Sequence, residues 1–170
     1  DWLVWGTGEL VNANEVLTAE TRRRLDLART ADGIVNVVMA DERGEATVAS
    51  SSGRSVWRFR AENVRDVALS TSASYVWDAT HANVDQDGDG TDDSVLINSF
   101  YRPGTASWER SAEFAKFSIE HLSEMILPYP YPHMTAVEGI IGGGMEYPMM
   151  TLIGGNRTDA TLFSVTYHEI

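Results

Sequence analysis

The sequence predicts an α+β chain, with strands crowding the first hundred residues and helices framing a glycine-rich segment after them. Three observations lead to that class. Short apolar runs at 3–5, 34–40 and 95–101 are divided by Gly, Asn, Asp and Ser, the residues of turns. After Pro103-Gly104 the apolar spacing changes to steps of four and three, the period of a helix face. Hydrophobic residues make up 43% of 170 positions and charged ones 22%, which is enough to build a core.

Taken in order, residues 3–5 form a strand stopped by Gly6-Thr7-Gly8. Thr18 is placed to cap a helix with Glu20 in its first turn and with Leu25 and Ala28 on one face. Residues 34–40 are valine-rich. Residues 56–61 alternate, with Trp57, Phe59 and Ala61 to one side and Val56, Arg58 and Arg60 to the other. Residues 64–69, 75–77 and 95–101 continue the strand pattern. Short strands joined by turns point to antiparallel pairing.

Trp108, Ala112, Ala115, Ile119, Leu122 and Ile126 then make a helical stripe, which Phe114, Phe117 and Met125 widen, so burial on more than one side is expected. Pro128-Tyr129-Pro130-Tyr131-Pro132 ends this helix, because proline lacks an amide hydrogen and crowds the preceding turn. Residues 135–137 and 149–153 read as strands flanking the glycine-rich segment. A last helix, starting at Asn156 or Thr158, carries Leu162, Val165 and His168. No internal repeat is evident. The chain is expected to divide into two partial units, 1–94 and 95–170.

Composition narrows the function. Net charge is −12, from 25 acidic residues against 13 Lys and Arg, which argues against sequence-independent binding to nucleic acid or to an anionic membrane. Arg22-Arg23-Arg24 is too short a basic run to reverse this and reads as the solvated face of a helix. Cysteine is absent, so a disulfide framework, a thiolate metal site and a cysteine nucleophile are all excluded. No apolar run approaches the ~18 residues of a membrane span. The opening residues show no charged leader region or cleavage site, and compartment stays open, bacterial periplasm or secretion being compatible.

Two segments carry chemistry. In Gly142-Gly143-Gly144-Met145-Glu146-Tyr147-Pro148 the glycines let another backbone come close, and an extended segment there can pair with a peptide as an added strand. Glu146 would then hold a positive charge such as a free α-amino group. The plain alternative is a glycine loop with an exposed glutamate. At the other segment, neutral His168 can ligate zinc, and Glu169 follows it about 100° around the helix, where it can serve as general base. A lone His-Glu pair is more often a surface feature. The motif H-E-x-x-H needs a second histidine at a position 172 beyond Ile170, so the chain reads as a fragment cut inside it.

A third candidate is the run from Asp85 to Asp93. Asp85, Asp87 and Asp89 fill positions one, three and five of a calcium loop, Gly90 fills the sixth, and Asp93 adds a further carboxylate. Leu96 stands where such a loop carries its bidentate glutamate, so the alternative is an acidic turn between two strands. His81, His121 and His133 read as structural.

Together, Gly143-Gly144-Met145-Glu146-Tyr147 and His168-Glu169 resemble the gluzincin aminopeptidases, of the aminopeptidase N and leukotriene hydrolase type, in the branch that carries GGMEYP. That family has G-x-M-E-N followed by a helix bearing H-E-x-x-H; tyrosine stands here where many members have asparagine. Tyr129-Pro130-Tyr131-Pro132 is similar to the family's Y-P-Y stretch. Gly6-Thr7-Gly8-Glu9-Leu10, Trp57-Arg58-Phe59 and Val64-Arg65-Asp66-Val67-Ala68 are more weakly similar to strands closing its N-terminal domain.

The resemblance implies the end of a β-rich N-terminal domain followed by the first part of a thermolysin-like α/β catalytic domain. It implies a zinc-dependent aminopeptidase acting on peptides with a free N-terminus. Gly143, Gly144 and Met145 would offer backbone to substrate, Glu146 would anchor its amino group, His168 would be the first zinc ligand and Glu169 the general base. The remaining ligands would lie beyond Ile170, so this chain alone is expected to be inert. Two other functions compete: a calcium-stabilised β-rich binding or scaffold module with a vestigial peptidase segment, and an epoxide hydrolase on the same site. The apolar faces of 105–127 and 158–170 are expected to pack on helices that follow, and the fragment to self-associate without them.

Overall fold

A computed structural model of the chain describes residues 2–155 and 157–170; Asn156, one of the two expected helix starts, lies outside the described residues. The fold is mixed α+β, with four helices, one six-stranded sheet and two small two-stranded sheets. The N-terminal segment gives β1 (Leu3–Gly6), β2 (Glu9–Leu10), α1 (Ala13–Val16), α2 (Ala19–Ala28) and β3 (Val35–Val38). Then follow β4 (Phe59–Arg60), β5 (Leu69–Ser72), β6 (Val76–Val84) and β7 (Asp93–Tyr101). A 3-10 turn (Ala106–Arg110) leads into α3 (Ser111–Met125), and β8 (His133–Gly139), β9 (Gly144–Tyr147), β10 (Met150–Gly154) and α4 (Asp159–Glu169) complete the chain.

Local chemistry explains the helix starts. Thr18 caps α2 and Thr158 caps α4, each hydroxyl accepting from the backbone amide three residues on, at 3.3 Å. The main sheet has the order β3-β6-β7-β8-β10-β9. Pairing is antiparallel among β3, β6 and β7, and parallel for β7–β8 and β8–β10. For β7–β8 this follows from α3, a crossover that returns the chain to the same end of the sheet, and for β8–β10 from β9, which runs back antiparallel to β10. The position 94/95, where a boundary was expected, falls inside β7.

Two apolar layers cover this sheet. On one face Trp77, Ala79, Leu96, Phe100, Val137 and Met150 pack against Leu3, Trp5, Val16, Leu17 and Leu25. On the other, Val76, Tyr101, Ala136 and Ile153 pack against Trp108, Phe114 and Leu162, and Ala82, Val95, Ile97 and Met134 pack against Ala115 and Ile119. α3 buries one side only: Phe117, Met125 and Ile126 are exposed, against the expectation of burial on several sides.

Two other elements differ from expectation. Residues 64–68 are not a strand; Asn63 turns the chain at φ 55, and before β5 begins the Ala68 carbonyl accepts from the Thr7 amide while the Ala68 amide donates to the Thr7 hydroxyl. The run at 75–77 grows into the nine-residue β6, whose polar positions Asp78, Thr80 and Asn83 hide it from a hydrophobic scan. Residues 56–61 keep their alternating burial although only Phe59 and Arg60 join a ladder.

Candidate active site

The glycine-rich segment becomes β9, the outermost strand of the main sheet, paired only to β10. Glu146 faces Thr151 across that pair and Met145 faces Leu152, with Met145 and Glu146 both exposed. Among the described residues no strand pairs with the far side of β9, which presents a sheet edge to an extended chain. Tyr147 and Met150 are partners, so Pro148-Met149 is a two-residue turn. Proline suits its first position, but the second demands positive φ, and a methionine holds it at φ 64. Glycine or asparagine is the usual residue there, so this turn stores strain beside the site.

Gly144 and Glu169 explain each other. A Cβ on Gly144 would overlap the Glu169 side chain, so glycine leaves room for that carboxylate to lie against β9. Glu169 thereby reaches Glu146, and the two carboxyl groups share a hydrogen bond. Burial raises the Glu169 carboxyl above its ordinary range, and the bond and charge of Glu146 push the same way. Glu146 moves down, held first by its own backbone amide and then by Glu169. Of the two carboxyl groups, Glu169 therefore holds a proton the more tightly. A cavity of about 340 Å³ opens beside them, lined by Arg65, Tyr129, Tyr131, Glu146, Tyr147 and Glu169 among others.

His168 is exposed on the last turn of α4. Gly143 sits at φ 123, and its carbonyl accepts from the Gly154 amide at 2.8 Å and from Arg157 Nη2 at 3.1 Å. Arg157 Nε also donates to the Gly154 carbonyl at 2.9 Å, so one guanidinium clamps the loop before β9 to the end of β10. From the opposite end of the sequence, the Thr7 hydroxyl donates to the Pro148 carbonyl at 2.9 Å. Neither Arg157 nor Thr7 stood out as a site residue in the sequence. Thr7 had a signal only in the flanking glycines of Gly6-Thr7-Gly8.

The structure thus brings together Gly144, Glu146 and Glu169, places Gly143 and Met145 on or beside the same edge strand, and leaves His168 one residue away on the helix surface. Among the described residues it places no set of three metal-ligating side chains at His168. The one such set is Asp85, Asp87 and Asp89, whose carboxylates converge to within 4.8 Å in the loop between β6 and β7. Asp93 is not in that set; it accepts from the Gln86 amide at 3.4 Å.

His81 contacts the Ala28 carbonyl at 3.1 Å through Nδ1, and His121 stacks on Phe117. No helix is long and apolar enough to cross a membrane among the described residues. No protein-family model matches this chain, and no curated protein matches it by sequence.

Proposed function

We propose that this chain supplies the substrate-anchoring strand and the opening of the zinc motif of an aminopeptidase that releases N-terminal residues from peptides. The observation that supports this most is the meeting of Glu146 and Glu169, from two segments singled out separately, beside the free edge of β9. A peptide laid along that edge gains backbone pairing, and its terminal ammonium reaches the ionised Glu146. The ammonium offsets the charge of Glu146, which otherwise raises the Glu169 carboxyl, so Glu169 gives up its proton to solvent more readily and can act as a base. A bound zinc would polarise the scissile carbonyl and acidify the attacking water. Glu169 would accept the water's proton and pass it to the leaving amine.

His168 is one imidazole, while catalytic zinc takes three protein ligands. Catalysis therefore requires a second histidine at position 172 and a further carboxylate, as the family resemblance implies. Metal analysis after dialysis is expected to find no stoichiometric zinc on the 170-residue chain and one equivalent on a chain extended through those ligands. One tight zinc per 170-residue chain would overturn the ligand count.

In the extended protein, Glu146→Gln is expected to lower activity on free-amino peptides by about two orders of magnitude, as loss of a charge-assisted hydrogen bond implies, with zinc content unchanged. Equal turnover of free and N-acetylated peptides by the unaltered protein would contradict the role of Glu146. The convergence of Asp85, Asp87 and Asp89 favours a second function, a calcium-stabilised binding module. Absence of a histidine at position 172 and of a later glutamate ligand would support it.

A further inference from the structure

Asp78 lies on β6 and is only 2% exposed, yet it lines a cavity of about 500 Å³ together with Ile34, Val76, Tyr101, Pro103 and Glu109. Its Oδ1 accepts from Asn36 Nδ2 at 2.7 Å and its Oδ2 from the Tyr101 hydroxyl at 2.6 Å. Both donors are neutral. Among the described residues no Lys, Arg or His forms an ion pair with Asp78 or with Glu109, the second carboxylate of the cavity. A carboxylate removed from water without a counter-charge is costly, and a cation of the right shape relieves that cost. Each carboxylate oxygen here has spent one lone pair and keeps another.

We infer that this cavity binds a guanidinium group carried on a short apolar stem. Asp78 at the floor and Glu109 at the rim receive the cation, and Ile34, Val76 and Pro103 line the path of the stem. The volume lies within the ~300–1,000 Å³ of small-ligand sites. Guanidinium is favoured over ammonium because it is less strongly hydrated and its planar fork can meet both free lone pairs of one carboxylate. Asn36 and Tyr101 fix the carboxylate in place, and Tyr101 is itself stacked on Trp108 with ring centroids 6.3 Å apart. Burial raises the Asp78 carboxyl against the hydrogen bonds from Tyr101 and Asn36, and the charge of Glu109 adds to the rise. β3 and β9 are the two outer strands of the main sheet, so this cavity, built on β3 and β6, is independent of the β9 edge and of its proposed peptidase role.

The test is a titration of the 170-residue chain followed by amide chemical shifts, with n-butylguanidinium as probe and neutral n-butylurea as its isostere. Saturable shifts at Asn36, Asp78, Tyr101 and Glu109 are expected with the cation, with binding of the urea at least about tenfold weaker. Asp78→Asn should weaken the cation about tenfold and Glu109→Gln about threefold. Should Asp78→Asn fail to fold, the exposed Glu109→Gln variant and the urea comparison still decide. A blocked arginine, N-acetyl-arginine methylamide, separates the sources of the group: tighter binding than butylguanidinium identifies a peptide arginine, and weaker binding a free small guanidine. Equal binding of urea and cation, or no saturable shift with butylguanidinium, overturns the inference.

Discussion

His133 is 2% exposed and sits in a chain of buried polar groups with one consistent direction. Trp77 Nε1 donates to Asn98 Oδ1 at 3.0 Å, and Asn98 Nδ2 to Thr135 Oγ1 at 3.4 Å. The Thr135 hydroxyl then donates to His133 Nδ1 at 3.3 Å, which leaves the proton on Nε2 to reach the Gly8 carbonyl at 2.8 Å. This arrangement needs a neutral ring, and burial lowers the His133 pKa to about 4, overcoming the bond to Gly8. In the unfolded chain the ring takes its proton near pH 6.5, so between pH 6.5 and about 4 the unfolded state binds more protons. Stability should therefore fall as pH drops through that window, by about 3 kcal/mol if His133 alone contributes. Urea titrations across the range check this. His133→Gln should be less stable at pH 7 and lose most of the slope; an unchanged slope would remove His133 as its cause.

The same scale shows what the sequence made legible. Glu146, Gly144 and Glu169 were visible because they belong to short contiguous motifs. Thr7 was not, since its partner Pro148 lies 141 residues away and no local pattern records such a contact. Asp78 was hidden for a related reason: a lone aspartate in a strand shows its burial only when β3 and β7 close around it.

Among the elements, α2, α3 and β7 follow from period, because each presents an apolar face or an apolar run, and α4 follows from its Thr158 cap. β6 escaped because its buried polar positions are paid for by partners distant in sequence, such as the Gly33 carbonyl that accepts from Thr80 at 2.9 Å. The fate of the helical stripe was not legible either. Trp108, Ile119 and Leu162 are fully buried against the chain's own sheet, while Leu122 and Val165 are half-buried.

The loop between β6 and β7 carries its own prediction. Backbone amides already hold its carboxylates inward: Gly88 and Gly90 donate to Asp85 at 2.8 and 3.0 Å, and Thr91 donates to Asp89 at 2.8 Å. Three exposed or half-buried carboxylates held this close repel one another, and a divalent ion relieves that repulsion. A thermal melt in calcium should exceed one in chelator by a few degrees, and Asp87→Ala with Asp89→Ala should abolish the difference. Equal melts would leave an acidic turn.

At the scale of the whole molecule, β6 and β7 are the shared wall. They pair over nine residues, from Val76–Tyr101 to Val84–Asp93, and supply side chains to all three apolar clusters. Trp77 and Phe100 face the N-terminal layer, Val76 and Tyr101 face α4 and the 3-10 turn, and Val95 and Ile97 face α3. Losing either layer would expose one face of the same two strands and leave a sheet uncovered on one side. Unfolding should therefore be a single transition, although the amino-acid pattern changes period after Pro103-Gly104. Tryptophan fluorescence separates the layers, because Trp5 and Trp77 lie in one cluster and Trp108 in another. With Trp108→Phe, fluorescence reports chiefly the N-terminal layer, and far-ultraviolet circular dichroism reports the whole backbone. The two urea midpoints are expected to coincide in that variant. A chain ending at residue 94 should show no cooperative transition, since β6 would lose its β7 partners from Val76 to Ala82. Separated midpoints, or a cooperative transition in residues 1–94 alone, would mean that the sheet divides at β7 and that each layer is stable without the other.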